Sequence, residues 1–363
     1  MHEYEIPTPA LVIDQVVATR NIDRMADYAK SHDLRLRPHT KTHKLVRMAT
    51  AQLEAGAAGL TVAKVGEARV MAACSDDLTV GYPALDPPRT AAIAELAKSR
   101  TMRVAVDSVL AVDRLSAAAD AVGATIGILV DVDTGMHRTG LQEPEQTVQL
   151  AQHVDAQPAV RLDGLFTYQG IAGSTLSIEQ QQCKVAKVLD QTLDCWKQQG
   201  LEAKIISGGS TPTARFSHLV KPLTEIRPGT YIYNDRNCIE RKCCTIDDCA
   251  ARIVATVVST AVPGKLILDS GSKTLTMDRL ANNSDDGGHG LLVDHPDAHI
   301  DHLTEEHARV DIRRCQRPPK LGDRVHVIPN HICPCVNLQN QVWFKDIDGA
   351  VNTVPVDARG MLS

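Results

Sequence analysis

Aromatic side chains make up only 3% of the 363 residues, with two tryptophans, six tyrosines and three phenylalanines. That leaves little material for the stacking platforms that bind single-stranded nucleic acid. There is no basic excess either. Lysine plus arginine total 39 against 44 acidic residues, a net charge of −5 and a pI near 6.3. No global positive field therefore favours nucleic acid or an anionic membrane. Uninterrupted apolar runs stay below the roughly 18 residues of a membrane span. The opening MHEYEIPTPALVID lacks a basic segment leading into an apolar one, so no secretory signal is expected. Ten cysteines are present but scattered; only Cys243 and Cys244 are adjacent, and Cys333 and Cys335 nearly so. That spacing excludes a secreted disulfide framework. A cytoplasmic protein with reduced thiols is expected.

What is present is alternation. Short apolar runs at 34–39, 59–63, 78–82, 102–106, 126–132, 163–168, 203–207 and 223–226 are separated by amphipathic stretches such as 15–30, 44–57, 108–121 and 178–200. Strand–helix repetition at this spacing implies parallel pairing through right-handed crossovers. Eight such units predict a closed (β/α)8 barrel, with an open doubly wound sheet as the alternative. After about Cys244 the texture changes to short β-type runs divided by turn residues, ARIVATVVST, KLILDSGS, DRVHVIP and QVWFKDI among them. The expected organisation is a barrel over 12–244 and an antiparallel β domain over 245–363, with 1–11 packed on the latter and no strand partner of its own assigned to the N-terminal segment.

Four stretches carry chemistry. LRLRPHTKTHK (34–44) runs a strand into Arg37, His39, Lys41, His43 and Lys44 with no acid nearby in sequence. A lysine used as a nucleophile must be partly neutral and benefits from neighbouring cations; the competing readings are a hydrated basic turn, or a metal pair from His39 and His43. In DVDTGMHRTG (131–140), Arg138 follows a glycine turn at the end of the fifth strand, placed to hold an anionic oxygen or to pair with Asp131 or Asp133. In IISGGSTPT (205–213), Gly208, Gly209, Ser210 and Thr211 follow strand seven. EIRPGTY after strand eight adds Gly229, Thr230 and Tyr231. Backbone nests at those two strand ends commonly bind phosphate in barrels. In PNHICPCVN (329–337), His331 and Cys333 share a face if the segment is extended. Imidazole plus thiolate suits zinc with open positions; the alternative is buried thiols beside a core histidine.

RPHTKTHK, KVGEA, DTGMHRTG, ISGGST, EIRPGTY, LDSGSKT and PNHICPCVN occur in an order that resembles the D-threonine aldolase and eukaryotic-type D-serine dehydratase family. The resemblance covers nearly the whole chain and implies a pyridoxal-phosphate enzyme of alanine-racemase-like fold, forming homodimers. It implies that Lys41 forms the Schiff base and acts on the substrate α-proton, and that Arg138 meets the cofactor's phenolic oxygen. His39 and Tyr168 would border the cofactor. Gly208 to Thr211, with Gly229, Thr230 and Tyr231, would cradle the phosphate. His331 and Cys333 would hold a divalent ion on the substrate's β-hydroxyl.

Such an enzyme can dehydrate a D-β-hydroxy amino acid to a 2-oxo acid and ammonia, or cleave it to glycine and an aldehyde. Family aldolases carry a histidine after the strand-six tyrosine, where this chain has Tyr168-Gln169-Gly170. An amide cannot serve as that base. Family aldolases also often place an aspartate, suited to manganese or magnesium, where this chain has Cys333, which points to zinc. Both departures favour dehydration, with D-threonine aldolase activity as the alternative. A racemase would need a second acid or base opposite Lys41 and would have no use for the metal pair. A non-catalytic pyridoxal-phosphate binder would not need the β domain.

Overall fold

The computed structural model describes residues 1–169, 176–281 and 287–363; Gly170 and most of the polar loop at 282–290 lie outside them. The chain forms two compact units. One comprises Asp23–Lys41, Val46–Gly229 and Met361–Ser363; the other comprises Met1–Ile22, Thr42–Leu45 and Thr230–Gly360. Residues 230–244, read with the barrel in the sequence, group with the second unit.

β1 (Ala10–Asp14) belongs to the second unit, where it is a middle strand rather than a partnerless lead-in. It pairs antiparallel with β10 (Ala251–Ser259) and parallel with β16 (Gln341–Lys345). Ala10 and Val12 face Ile6, Val254 and Val351 in a small core that Trp343 covers.

The first unit is the expected barrel. β2 (Arg35–Leu36), β3 (Leu60–Val62), β4 (Asp77–Val80), β5 (Thr101–Val106), β6 (Ile126–Asp131), β7 (Val160–Phe166), β8 (Ile205–Gly208) and β9 (Glu225–Ile226) form one eight-stranded sheet in which hydrogen-bonded neighbours run parallel. The seam between β2 and β3 is closed by a His39–Thr61 bridge and by Thr61 N donating to the Pro38 carbonyl at 2.9 Å. The run IGILVD in β6 is buried at every position, as expected of a strand covered on both faces. Helices return the chain between strands. α4 (Pro87–Ala97) is started by Asp86, whose side chain caps Arg89 N, and by proline in the first turn. α7 (Ile178–Gln198) is started by a capping box between Ser177 and Gln180. Its Trp196, fully buried, donates to Thr147 Oγ1 at 2.9 Å.

Charges inside this sheet are matched. The fully buried Arg37 donates from Nε to both Glu225 oxygens at 3.0 and 3.1 Å and from Nη1 to Asp77 at 2.5 Å. Arg103 joins Asp77 to Asp163, and Arg161 completes Asp163. A buried guanidinium left alone would be strongly destabilising, so the strands supply its carboxylates from positions 77 and 225.

In the second unit the strand order is β13 (His299–Leu303), β14 (Ala308–Asp311), β11 (Lys265–Leu268), β10, β1, β16 and β17 (Val351–Pro355). β15 (Arg324–Ile328) pairs β10 and the two-residue β12 (Leu291–Leu292). All pairs are antiparallel except β1 with β16. Three short helices punctuate it: α8 (Arg236–Glu240), α9 (Ser272–Leu275) and α10 (Ile332–Leu338).

Candidate active site

Lys41 sits in a single 3-10 turn, Thr40–Thr42, directly after the strand-two seam. Thr40 Oγ1 donates to the Thr61 carbonyl at 3.2 Å and Lys41 N to His39 Nδ1 at 3.4 Å. A ring nitrogen that accepts a backbone N–H is unprotonated, so the His39 proton belongs on Nε2. The surroundings differ from the crowd of cations expected from LRLRPHTKTHK. Arg37 is neutralised by Glu225 and Asp77, which lie 188 and 40 residues away. His43 Nδ1 accepts Leu45 N at 3.1 Å, which makes that ring neutral, and Lys44 Nζ donates to the Ala358 carbonyl. Local sequence showed the bases but not the distant carboxylates.

At the end of β6, Arg138 is exposed and its guanidinium lies 4.3 Å over the half-buried Tyr168 ring. The two aspartates that could have claimed it have other partners. Asp131 accepts Thr139 Oγ1 at 2.7 Å, and burial lifts its carboxyl to about 6. Asp133 ties the turn together, accepting Gly135 N, His137 N, His137 Nδ1 and Gln142 Nε2. Although burial opposes it, those donors hold Asp133 down at about 2.

At the ends of β7 and β8, Gly208 and Gly209 lead into a 3-10 helix, Thr211–Leu219, that Ser210 and Thr213 cap reciprocally. Gly209 has a φ of +75°, and a Cβ on Gly208 would come within 2.7 Å of Leu223 Cδ2. Gln169 is buried against this turn. Its carbonyl accepts Ser210 Oγ and its side-chain oxygen accepts Thr213 Oγ1, both at 3.4 Å. Its Nε2 is buried with no hydrogen-bond partner among the described residues. An orphaned amide N–H2 beside a glycine turn fits an anionic acceptor such as a phosphate.

One side chain in EIRPGTY escaped the sequence reading. Arg227 is buried, its guanidinium 3.6 Å over the Phe166 ring, donating to Ser207 Oγ at 2.6 Å and the Thr167 carbonyl at 2.7 Å. Burial pulls its pKa down to about 10, the opposite direction from Arg37. A charged residue directly after the buried Ile226 at a strand end was the available signal. Gly229 ends this unit's second segment, whereas Thr230 and Tyr231 open a 3-10 turn of the other unit, where Thr230 Oγ1 lies 3.8 Å from Cys333 Sγ.

The segment around His331 is not extended. His331 is the N-cap of α10 and Cys333 lies in its first turn, where Pro334 is tolerated because no intrahelical N–H is needed there. Strand alternation therefore does not explain the pair; the helix start does. His331 and Cys333 are within hydrogen-bonding reach, and despite burial the thiol and nearby carboxylates raise the imidazole to about 9. Cys335 points away, donating to the His331 and Leu275 carbonyls from a fully buried position. Supports surround the pair. Asp278 Oδ2 holds His331 Nδ1 at 2.7 Å, which leaves Nε2 for a ligand. Asn330 fixes the Asp278 and Gly288 carbonyls, and the buried Asp235 accepts Ile332 N at 3.2 Å. Thr42, the residue after Lys41, has its hydroxyl 3.2 Å from Cys333 Sγ. An imidazole oriented by a carboxylate, next to a thiol, fits a borderline-soft divalent ion. Among the described residues no third histidine, cysteine or carboxylate completes the set, so other positions would be open.

The chain matches the alanine racemase N-terminal domain over residues 13–237 and a putative serine dehydratase domain over 250–344. It is 31% identical to 3-hydroxy-D-aspartate aldolase of Paracoccus denitrificans, covering 99% of this chain and 94% of that protein. It is 30% identical to D-threo-3-hydroxyaspartate dehydratase of a Delftia species, over 90% and 91% of the two chains. The crystal structure of D-threonine aldolase from Filomicrobium marinum superimposes with a TM-score of 0.90 at 29% identity, covering 99% and 97%. The chain thus belongs to the D-threonine aldolase and D-serine dehydratase family, alanine-racemase-like, pyridoxal-phosphate-dependent lyases of D-hydroxy amino acids.

Proposed function

We propose that this lyase dehydrates D-β-hydroxy amino acids of the D-serine and D-threonine type, giving a 2-oxo acid and ammonia. The observation that carries the reading is the thiol–imidazole pair of Cys333 and His331, with His331 held at Nδ1 by Asp278. Pyridoxal phosphate, when bound, stabilises negative charge at Cα. A divalent ion at His331 and Cys333, zinc by preference over manganese or magnesium, supplies Lewis acidity that makes a β-hydroxyl a better leaving group.

The chain's own groups do the rest. Lys41 would hold the cofactor covalently and take the α-proton. Arg138, stacked on Tyr168, would meet the ring oxygen; Gly208 to Thr211, with Gln169 Nε2, would receive the phosphate. Gln169 supports dehydration in a second way: its side-chain oxygen already accepts from Thr213, and an amide cannot remove a β-hydroxyl proton. The scattered spacing of the ten cysteines suits a reducing cytoplasm, and the resemblance carries with it a homodimer.

The test is product identity. With D-threonine, pyridoxal phosphate and zinc, the expected products are 2-oxobutanoate and ammonia. Glycine plus acetaldehyde would instead establish the aldolase reaction, which the similarity to 3-hydroxy-D-aspartate aldolase supports.

A further inference from the structure

Two hydroxyls converge on the Cys333 sulfur. Thr42 is fully buried, and its Oγ1 meets Cys333 Sγ at 3.2 Å. Thr230 Oγ1 approaches the same sulfur at 3.8 Å. All three residues belong to the second unit. Both threonines are held by their own backbone surroundings. The segment that starts at Thr42 is fastened to the C-terminal part of the chain: Ala358 N donates to the Lys44 carbonyl at 3.0 Å, and Lys44 Nζ donates to the Ala358 carbonyl at 3.3 Å. The Thr230 carbonyl accepts Tyr233 N at 3.1 Å and Asn234 N at 2.7 Å, which fixes the start of its 3-10 turn. Thr230, which the resemblance assigns to the phosphate cradle, thus turns its hydroxyl to this sulfur.

A buried hydroxyl needs a partner, yet a neutral thiol is a weak acceptor. Two hydroxyls aimed at one thiol are poorly satisfied. A thiolate accepts strongly, and a thiol that ligates a divalent ion is deprotonated. The arrangement therefore suits the charged form of Cys333. It is also the counterpart of what happens at His331. Asp278 Oδ2 takes up the imidazole Nδ1–H at 2.7 Å, which strengthens His331 as a ligand. O–H groups that donate to Cys333 draw density away from the sulfur and weaken it as a ligand. Opposed adjustments of this kind keep an ion held but electron-poor, as a departing β-hydroxyl requires.

We propose that Thr42, with Thr230 as the weaker partner, is a positioning residue for the metal-binding thiolate: its hydroxyl donates to Cys333 Sγ, fixes the direction of the sulfur and spreads its charge. The inference rests on the reading of His331 and Cys333 as the metal pair. It adds a role for the residue that follows Lys41, which the lyase reading leaves without one.

The test is cobalt(II) in place of zinc in the full-length protein with pyridoxal phosphate bound. A thiolate ligand gives a sulfur-to-cobalt charge-transfer band, whose energy rises when the sulfur accepts hydrogen bonds. The band is read as the difference between cobalt- and zinc-loaded protein, so that the cofactor's absorbance cancels. Thr42→Val keeps the shape and removes the hydroxyl. It is expected to move the band to longer wavelength. Zinc should also be held about tenfold less tightly in competition with a chelator. Thr42→Ser restores both properties, and Thr230→Val moves the band the same way by less, its contact being longer. A band at the parent wavelength in Thr42→Val, or a serine variant that behaves like the valine one, overturns the inference and leaves the metal pair standing. A parent protein without the band, or a band that survives Cys333→Ala, overturns the metal reading and this inference with it.

Discussion

Arg37 and Arg227 are both buried in the barrel unit, two residues past Arg35 in β2 and Glu225 in β9 respectively, yet they differ in kind. Arg37 is enclosed by Glu225 and Asp77, and despite burial those carboxylates raise its pKa. Arg227 donates its hydrogen bonds to neutral oxygens and lies over an aromatic face; burial outweighs the attraction of Glu225 and Asp131 and lowers its pKa to about 10. Two residues past the Thr167 carbonyl that Arg227 holds, Gln169 has an Nε2 with no hydrogen-bond partner among the described residues. A polar group matched by its own chain is architecture; one kept short of partners in a buried place is available to something that binds.

That contrast can be broken at several points. The largest effect is expected from Lys41→Ala, which should lower turnover of D-threonine by roughly 10⁴-fold, the upper end of what a positioned base supplies. The visible absorbance of lysine-bound cofactor should vanish with it; if that colour persists, another amine holds the cofactor. Arg37→Leu should destabilise the fold by about 3–5 kcal/mol in urea unfolding, because Glu225 and Asp77 lose their counter-charge. A loss below about 1 kcal/mol would mean that the cage is not structural. Arg227→Leu should cost less in unfolding, about 1–3 kcal/mol for the Ser207 and Thr167 oxygens left without their donor, and should leave cofactor retained about tenfold less tightly in a dialysis titration. Equal stability losses in the two variants would erase the distinction.

The smallest effect concerns a pair nearer the surface. His326 Nε2 meets Glu3 Oε1 at 2.5 Å, pulling Glu3 from 4.5 to about 2 and raising His326 above 6.5. The Glu3 contribution is complete above 4.5 and is lost as pH falls toward 2. The His326 contribution is complete below 6.5 and is lost as pH rises through its raised value. The pair therefore stabilises most between those two ordinary values, by at most about 1 kcal/mol. Thermal melts of His326→Gln against the parent should differ most near pH 5 to 6. A difference that grows at alkaline pH would contradict the pairing.

The strand–helix alternation was legible because period and length are local properties; all eight barrel strands fall where the apolar runs lie. β1 was missed because its four-residue apolar run has no turn partner nearby, and both strands that flank it come more than 230 residues later. The pair His331 and Cys333 was legible by residue type, yet the start of α10 was not, since Pro334 reads as a register break until its place in a first turn is seen. The same helix turns Cys335 into the core. Arg37 looked like one of several free cations because its carboxylates are contributed by other strands. The contact of Thr42 with Cys333 is likewise invisible to spacing, since 291 residues separate the two.

The position of β1 has a consequence for synthesis. The strand is synthesised more than 230 residues ahead of β10 and more than 320 ahead of β16, the two strands that flank it. Throughout elongation of the barrel, Ala10 to Asp14 are an unpaired hydrophobic edge. A protein with this threading has a long interval in which this segment must be kept from other chains. Chaperone demand and inclusion-body formation in overexpression should track the exposure of ALVID more than any weakness of the finished fold.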